Sequence, residues 1–228
     1  MREIVFDTET TGLDASADRI VEIGGVEVVD GVATGRTLHH YVHPGDRPMN
    51  PDAEAIHGIT MAFLADKPRF EAIADEVAEF FEGARLVAHN APFDVAFLNA
   101  ELDRIGRPPL PSARVRDTLS MARQKFPGAN NTLDALCRRF GVDNSGREKH
   151  GALLDSELLA EVYVELTGGR QTSLGLGSSG RGAGSVEHPG ARPSPLPPRL
   201  ENGAAEAHAA HWRGVLGDGG LWSRVRRG

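Results

Sequence analysis

The apolar run Ile4-Val5-Phe6 ends in Asp7-Thr8-Glu9. In a strand, residues i and i+2 point to the same side. Asp7 and Glu9 therefore present two carboxylates on one face, where the strand leaves the core. Neighbouring acids repel. A fold that keeps this pair either leaves it in a solvated turn or gives it a counter-charge. A pair of divalent cations would relieve the repulsion and supply chemistry as well.

The 228 residues carry no internal repeat and allow one ordinary domain with a full core plus additional sequence. No apolar stretch is long enough to span a bilayer, so no membrane partner is expected. The start, MREIVFDTE, turns acidic too early for a signal peptide. The single cysteine, Cys137, excludes an internal disulfide and fits a reducing compartment, so a cytoplasmic location is expected. Cys137 lies in helix-like LDALCRRF and reads as a packed thiol; no Cys/His cluster has zinc spacing. Residues 169–228 hold eight Arg and four acids, +4 in total, so the formal net charge of -7 leaves -11 for residues 1–168. A domain that acidic is not a sequence-blind duplex binder held by phosphate contacts. Nucleic acid would have to be handled at a small site where metal ions offset repulsion. Taken alone, the charge reads better as a solubilising surface.

Residues 3–7, 20–29 and 37–42 read as three strands joined by short turns, an antiparallel meander. Ile73, Val77, Phe80 and Phe81 fall at helical spacing within 70–81. Residues 85–89 read as a short buried strand and 92–105 as a helix with Pro92 in its first turn. A further strand is expected at 114–117, and helices at 118–125, 132–140 and 152–167. The class is α/β, a sheet with helices packed on it. Between Gly175 and Pro198, 15 of 24 residues are Gly, Ser or Pro, which predicts a flexible linker. Beyond it stand both tryptophans, Trp212 and Trp222. They suit either an anchor for a partner or a helix that docks on the parent domain.

Two further segments carry acids. HNAPFDVAFLNAE, residues 89–101, puts Asp94 early in an amphipathic helix with Phe93, Phe97 and Leu98 facing inward. An acid there also complements the helix dipole. In HGALLD, His150 and Asp155 would point about 140° apart if both were helical. With His150 in the loop before the helix and Asp155 one turn inside it, both reach one centre.

Together DTETTGLD, HNAPFDVAF and HGALLD resemble, in order, spacing and context over about residues 1–168, the DEDDh family of 3′→5′ exonucleases. The resemblance implies an RNase H-like fold, a mixed five-stranded sheet flanked by helices. It implies Asp7, Glu9, Asp94 and Asp155 as ligands of two divalent metal ions, Mg²⁺ or Mn²⁺, and His150 as general base. It also places Asp7, Thr8, Glu9 and Leu13 at the 3′-terminal nucleotide, with Thr8 holding the 3′ end and Leu13 touching the terminal base. The segment HGIT at 57–60 matches the family pattern and implies that His57, with Asp52, lies near that nucleotide. The chemistry agrees with the residue types: hard cations prefer oxygen ligands, two of them can serve both attacking water and leaving oxygen, and an imidazole takes a proton near neutral pH.

Within that family the remaining sequence is similar to the proofreading exonucleases of bacterial replicative polymerases. Gln171-Thr-Ser-Leu-Gly-Leu176 looks like a sliding-clamp-binding motif, with Gln171, Leu174 and Leu176 as its contacts, although it lacks the aromatic often found at its end. The tail around Trp212 and Trp222 resembles the segment that binds the polymerase (alpha) subunit, although Gly217, Gly219 and Gly220 weaken a continuous helix. This organisation is an exonuclease domain at 1–169, a clamp motif and linker at 170–200, and a polymerase-binding tail at 201–228. The expected substrate is the single-stranded 3′ end of DNA. A stand-alone exonuclease trimming RNA or short oligonucleotides, and a non-catalytic tether in the replicase, are the other readings.

Overall fold

A computed structural model of the chain describes residues 1–147, 149–168, 206, 207, 210 and 211. By contacts the chain divides into two units, Met1–Leu176 and Gly177–Gly228. In the second, Glu206, Ala207, Ala210 and His211 are helical. The sequence expectations at Gln171, Leu174, Leu176, Trp212, Trp222 and the linker lie outside the described residues.

The first unit holds five strands, β1 (Arg2–Thr10), β2 (Ile20–Val29), β3 (Val32–Tyr41), β4 (Arg85–Ala88) and β5 (Val115–Asp117). Its helices are α1 (Pro51–His57), α2 (Met61–Leu64), α3 (Phe70–Phe81), α4 (Ala91–Arg104), α5 (Thr118–Lys125), α6 (Leu133–Phe140) and α7 (Ala152–Leu166). One mixed sheet runs in the order β3-β2-β1-β4-β5. The meander β1-β2-β3 is antiparallel, and β4 and β5 add to it in parallel. This is the expected five-stranded sheet flanked by helices.

Alternation along β1 divides the core. Ile4 and Phe6 face one side and pack with Ile73, Val77 and Phe81 of α3 and Phe97 and Leu98 of α4. Val5 faces the other, with Val26, Val28, Val87, Leu136 and Cys137 of α6, and Leu159 and Val162 of α7. Each fully buried large side chain of this kind contributes about 1.5–3 kcal/mol. The two helical layers therefore clamp β1 from opposite sides. Asp7 and Glu9, two and four residues beyond Val5, emerge on the α7 side.

The sequence reading omitted α1 and α2. Both are too short to show an apolar period, and their signals are caps instead. The Asn50 side chain accepts from the Asp52 N–H with Pro51 at the first helical position, and Thr60 Oγ1 accepts from the Phe63 N–H.

Candidate active site

Four elements converge at the end of β1. Beside β4, the strand is paired only from Glu3 to Val5. Further along, its free polar groups are met by α4 instead. The Thr8 N–H and hydroxyl both donate to Asp94 Oδ1, at 3.0 and 2.7 Å. Asp94 is aimed by the turn from β4 into α4, where Asn90 adopts φ 68°. Asp117 at the end of β5 accepts from the Asn90 and Ala91 N–H groups at 2.9 and 3.2 Å and also caps α5. The left-handed conformation suits asparagine better than most side chains.

From the opposite face α7 brings Asp155. It reaches the strand because Gly24, the β2 residue opposite Asp7, has no side chain. A Cβ at Gly24 would stand 2.3 Å from the Ala152 carbonyl carbon and the Leu153 nitrogen. Ser156 secures the contact by donating to the Gly24 carbonyl at 3.1 Å.

His150 lies in the loop before α7, as expected, with its side chain 48% exposed. Its Nδ1 is 3.8 Å from Asp155 Oδ2. The loop is held by α1: the His150 N–H donates to the Ile56 carbonyl at 3.3 Å and Lys149 Nζ to the Ala55 carbonyl at 3.0 Å. Glu9, His150 and Asp155 each offer one ligand atom within 4.8 Å of the others. This group of carboxylate oxygens and one imidazole fits a hard divalent ion.

Electrostatics bind the acids into one unit. Burial, then Asp94, Glu9 and Asp155, raise the Asp7 carboxyl well above its usual range. Burial, then Asp155, Glu22 and Asp94, push Glu9 up to about 8. Glu22 lies directly across the β1–β2 ladder from Glu9 and is bonded to His39 Nε2 at 2.7 Å. Burial raises Asp94 to about 7 against the opposing hydrogen bonds from Thr8. Burial, followed by the Arg147 charge, keeps His150 below the ordinary histidine value. A fold that concentrates unwanted negative charge so strongly is suited to divalent cations.

Asp7, His150 and Asp155 line one cleft of about 750 Å³, together with His89, Asn131 and Arg147. The other expected contacts are distributed differently. Leu13 is 85% exposed on the loop after β1. Both donors of Thr8 are committed to Asp94, so its clearest task is to fix that carboxylate. Asp52 is exposed on the first turn of α1. His57 is buried, with Nδ1 accepting from the Ile59 N–H at 3.0 Å and Nε2 3.3 Å from the Thr10 carbonyl. It ties α1 to the end of β1.

Sequence reading missed Arg147, Gly24 and Asp117. Arg147 stands in a polar loop and Asp117 in an ordinary capping position. For Gly24 the available signal was the Gly24-Gly25 pair inside an otherwise apolar strand, a mark of close backbone approach.

A family model described as Exonuclease matches residues 4–163. The chain is 56% identical over 178 residues to DNA polymerase III subunit epsilon of Rickettsia felis, covering 76% of this chain and 77% of that protein. It is 47% identical over 188 residues to the Escherichia coli K12 protein of the same name, covering 78% and 76%. Among solved structures, Exonuclease X in complex with 5′ overhanging duplex DNA aligns with a TM-score of 0.57 and 35% identity, covering 73% of this chain and 90% of that one. The nuclease domain of 3′hExo, a DEDDh family member bound to rAMP, shares the fold at a TM-score of 0.60 and 18% identity, covering 73% and 91%.

Proposed function

The chain belongs to the exonuclease family, and from that premise we propose that it is a 3′→5′ exodeoxyribonuclease that removes mismatched terminal nucleotides during DNA replication. It would act in the cytoplasm as the proofreading subunit of a replicative polymerase. The observation that carries this reading is the convergence of Asp7, Glu9, Asp94 and Asp155 with His150 at the end of one strand. The names of its relatives support the link to a polymerase.

In this reading the four carboxylates hold two divalent ions, Mg²⁺ or Mn²⁺. When bound, the ions supply an activated water and neutralise the leaving 3′ oxygen. His150, kept below the ordinary histidine pKa, is neutral near pH 7 and takes the proton of the attacking water. Asp155 Oδ2 lies 3.8 Å from its Nδ1, beyond hydrogen-bond distance. Thr8 fixes Asp94, and exposed Leu13 stacks on the terminal base. Asp52 and His57 flank the terminal nucleotide only as far as the family pattern carries over. Selectivity for errors follows from fraying, since unpairing a mismatched end is less unfavourable than unpairing a matched one.

Gln171, Leu174 and Leu176 are proposed to dock on a sliding clamp, and Trp212 and Trp222 to anchor the tail on the polymerase subunit. Even weak contacts of this kind act strongly once tethering raises effective concentration toward the mM range. Truncation after Leu200 should abolish co-elution with the polymerase subunit in gel filtration. The double substitution Gln171→Ala, Leu174→Ala should weaken clamp binding in a titration.

The function is tested by digesting 5′-labelled primers, matched or mismatched at the 3′ end, as DNA and as RNA, with Mg²⁺ or with chelator. Stepwise shortening from the 3′ end of DNA, faster on mismatches and absent in chelator, is expected. Preference for RNA, or equal activity in chelator, would overturn it.

A further inference from the structure

Arg147 is a cation built into the acid cluster. Its side chain is only 7% exposed. It stands in the loop between α6 and α7, three residues before His150. Nε and Nη2 each donate to a different oxygen of Asp155, both at 2.5 Å. Nη1 donates to Asp134 of α6 at 2.8 Å. Asp134 is in turn held by Asn144 Nδ2 at 3.0 Å. The planar guanidinium is thus forked on one carboxylate and anchored by a second.

The fork engages both oxygens of Asp155, the same atoms that a metal ion would need. Asp155 also belongs to the group, with Glu9 and His150, whose ligand atoms all lie within 4.8 Å of one another. Arg147 opposes the upward shift of Asp7 and of Glu9. One fixed positive charge therefore relieves part of the repulsion that divalent ions would otherwise relieve. It also repels those ions at short range, with little solvent between.

We propose that Arg147 acts as an internal counter-ion that competes with divalent metal for Asp155, setting metal affinity lower than the four carboxylates alone would give. Asp134 keeps the guanidinium in place when Asp155 is surrendered, so the exchange needs no opening of the fold. The His150 loop and the metal ligand are thereby coupled through one side chain. This inference rests on the metal-dependent reading of the site.

The test titrates the full chain with Mn²⁺ by calorimetry, for wild type, Arg147→Met and Arg147→Lys, and records thermal unfolding in chelator and in excess Mn²⁺. Arg147→Met is expected to bind Mn²⁺ at least about 5-fold more tightly, the low end of ordinary coupling between two ligands. It should melt below wild type in chelator, and excess Mn²⁺ should close that gap. Arg147→Lys keeps a point charge without the fork and should bind with intermediate affinity. If the methionine variant does not fold, the lysine variant carries the test. Equal or weaker Mn²⁺ binding by the variants would overturn the inference and make Arg147 an orienting partner of Asp155. A wild type without Mn²⁺ affinity would instead overturn the metal-dependent reading, and the inference with it.

Discussion

The backbone of Ala152 rests directly on Gly24, with no room between them for a single methyl group. This contact sets how deeply the first turn of α7 sinks against β2, and so how close Asp155 comes to Asp7. Gly24→Ala should push α7 outward and destabilise the protein by about 1–3 kcal/mol, the usual range for overpacking. Nuclease activity should fall by more than the unfolded fraction explains. Denaturant unfolding and primer digestion on the same sample check this; unchanged activity in a folded variant would remove Gly24 from the site.

Asp7→Ala should abolish exonuclease activity and leave the fold intact. Asp7 is raised by burial and by three neighbouring carboxylates, so its loss relieves repulsion. In chelator the variant should melt at or above the wild-type temperature. A folded variant that digests primers normally with Mg²⁺ would show that the carboxylates have been misassigned.

His150→Ala should slow hydrolysis by roughly 10²–10⁴-fold. The carboxylates remain, so Mn²⁺ binding should persist to a large extent. Because the His150 pKa lies below that of an ordinary histidine, the wild-type rate should rise with pH on the acid side of neutrality. The variant should lack this limb. A loss of metal affinity as large as that of Asp155→Ala would make His150 a ligand.

In chelator the protein should lose stability as pH rises. Burial pushes Glu9 up to about 8 and Asp94 to about 7, from ordinary values of 4.5 and 3.8. Between these limits the folded state binds more protons than the unfolded one. The stabilisation is complete below about pH 4 and is lost as pH climbs through 7 and 8. Saturating Mn²⁺, which takes the ionised acids, should flatten this slope. Melting temperatures from pH 5 to 9, with and without Mn²⁺, measure it; a metal-free protein whose stability is constant over that range would contradict the buried acid cluster.

Much of the fold was legible because its elements are periodic. The alternation in β1 and the spacing of Ile73, Val77, Phe80 and Phe81 are properties of single segments, and each maps to a β-strand or α-helix. The loop placement of His150 followed from its angular separation from Asp155. Short α1 was not legible, although it holds the His150 loop, because about two turns show no period. Arg147 was not legible either. DNSGREKHG reads as a solvated loop, and only the packing of α6 against α7 buries the guanidinium. The Thr8 bonds to Asp94 were not legible, because they form only where β4 has stopped pairing with β1.

Asp94 and Asp155 approach β1 from opposite faces of the sheet, carried by helices that begin 61 residues apart, at Ala91 and Ala152. A chain still emerging from the ribosome, ended between Asp94 and His150, holds Asp7, Glu9 and Asp94 but lacks His150 and Asp155, the base and the fourth acid of the proposed site. On the proposed assignment, cutting competence arrives with α7. The order of synthesis would then leave a half-made nuclease inactive toward the nucleic acid around it.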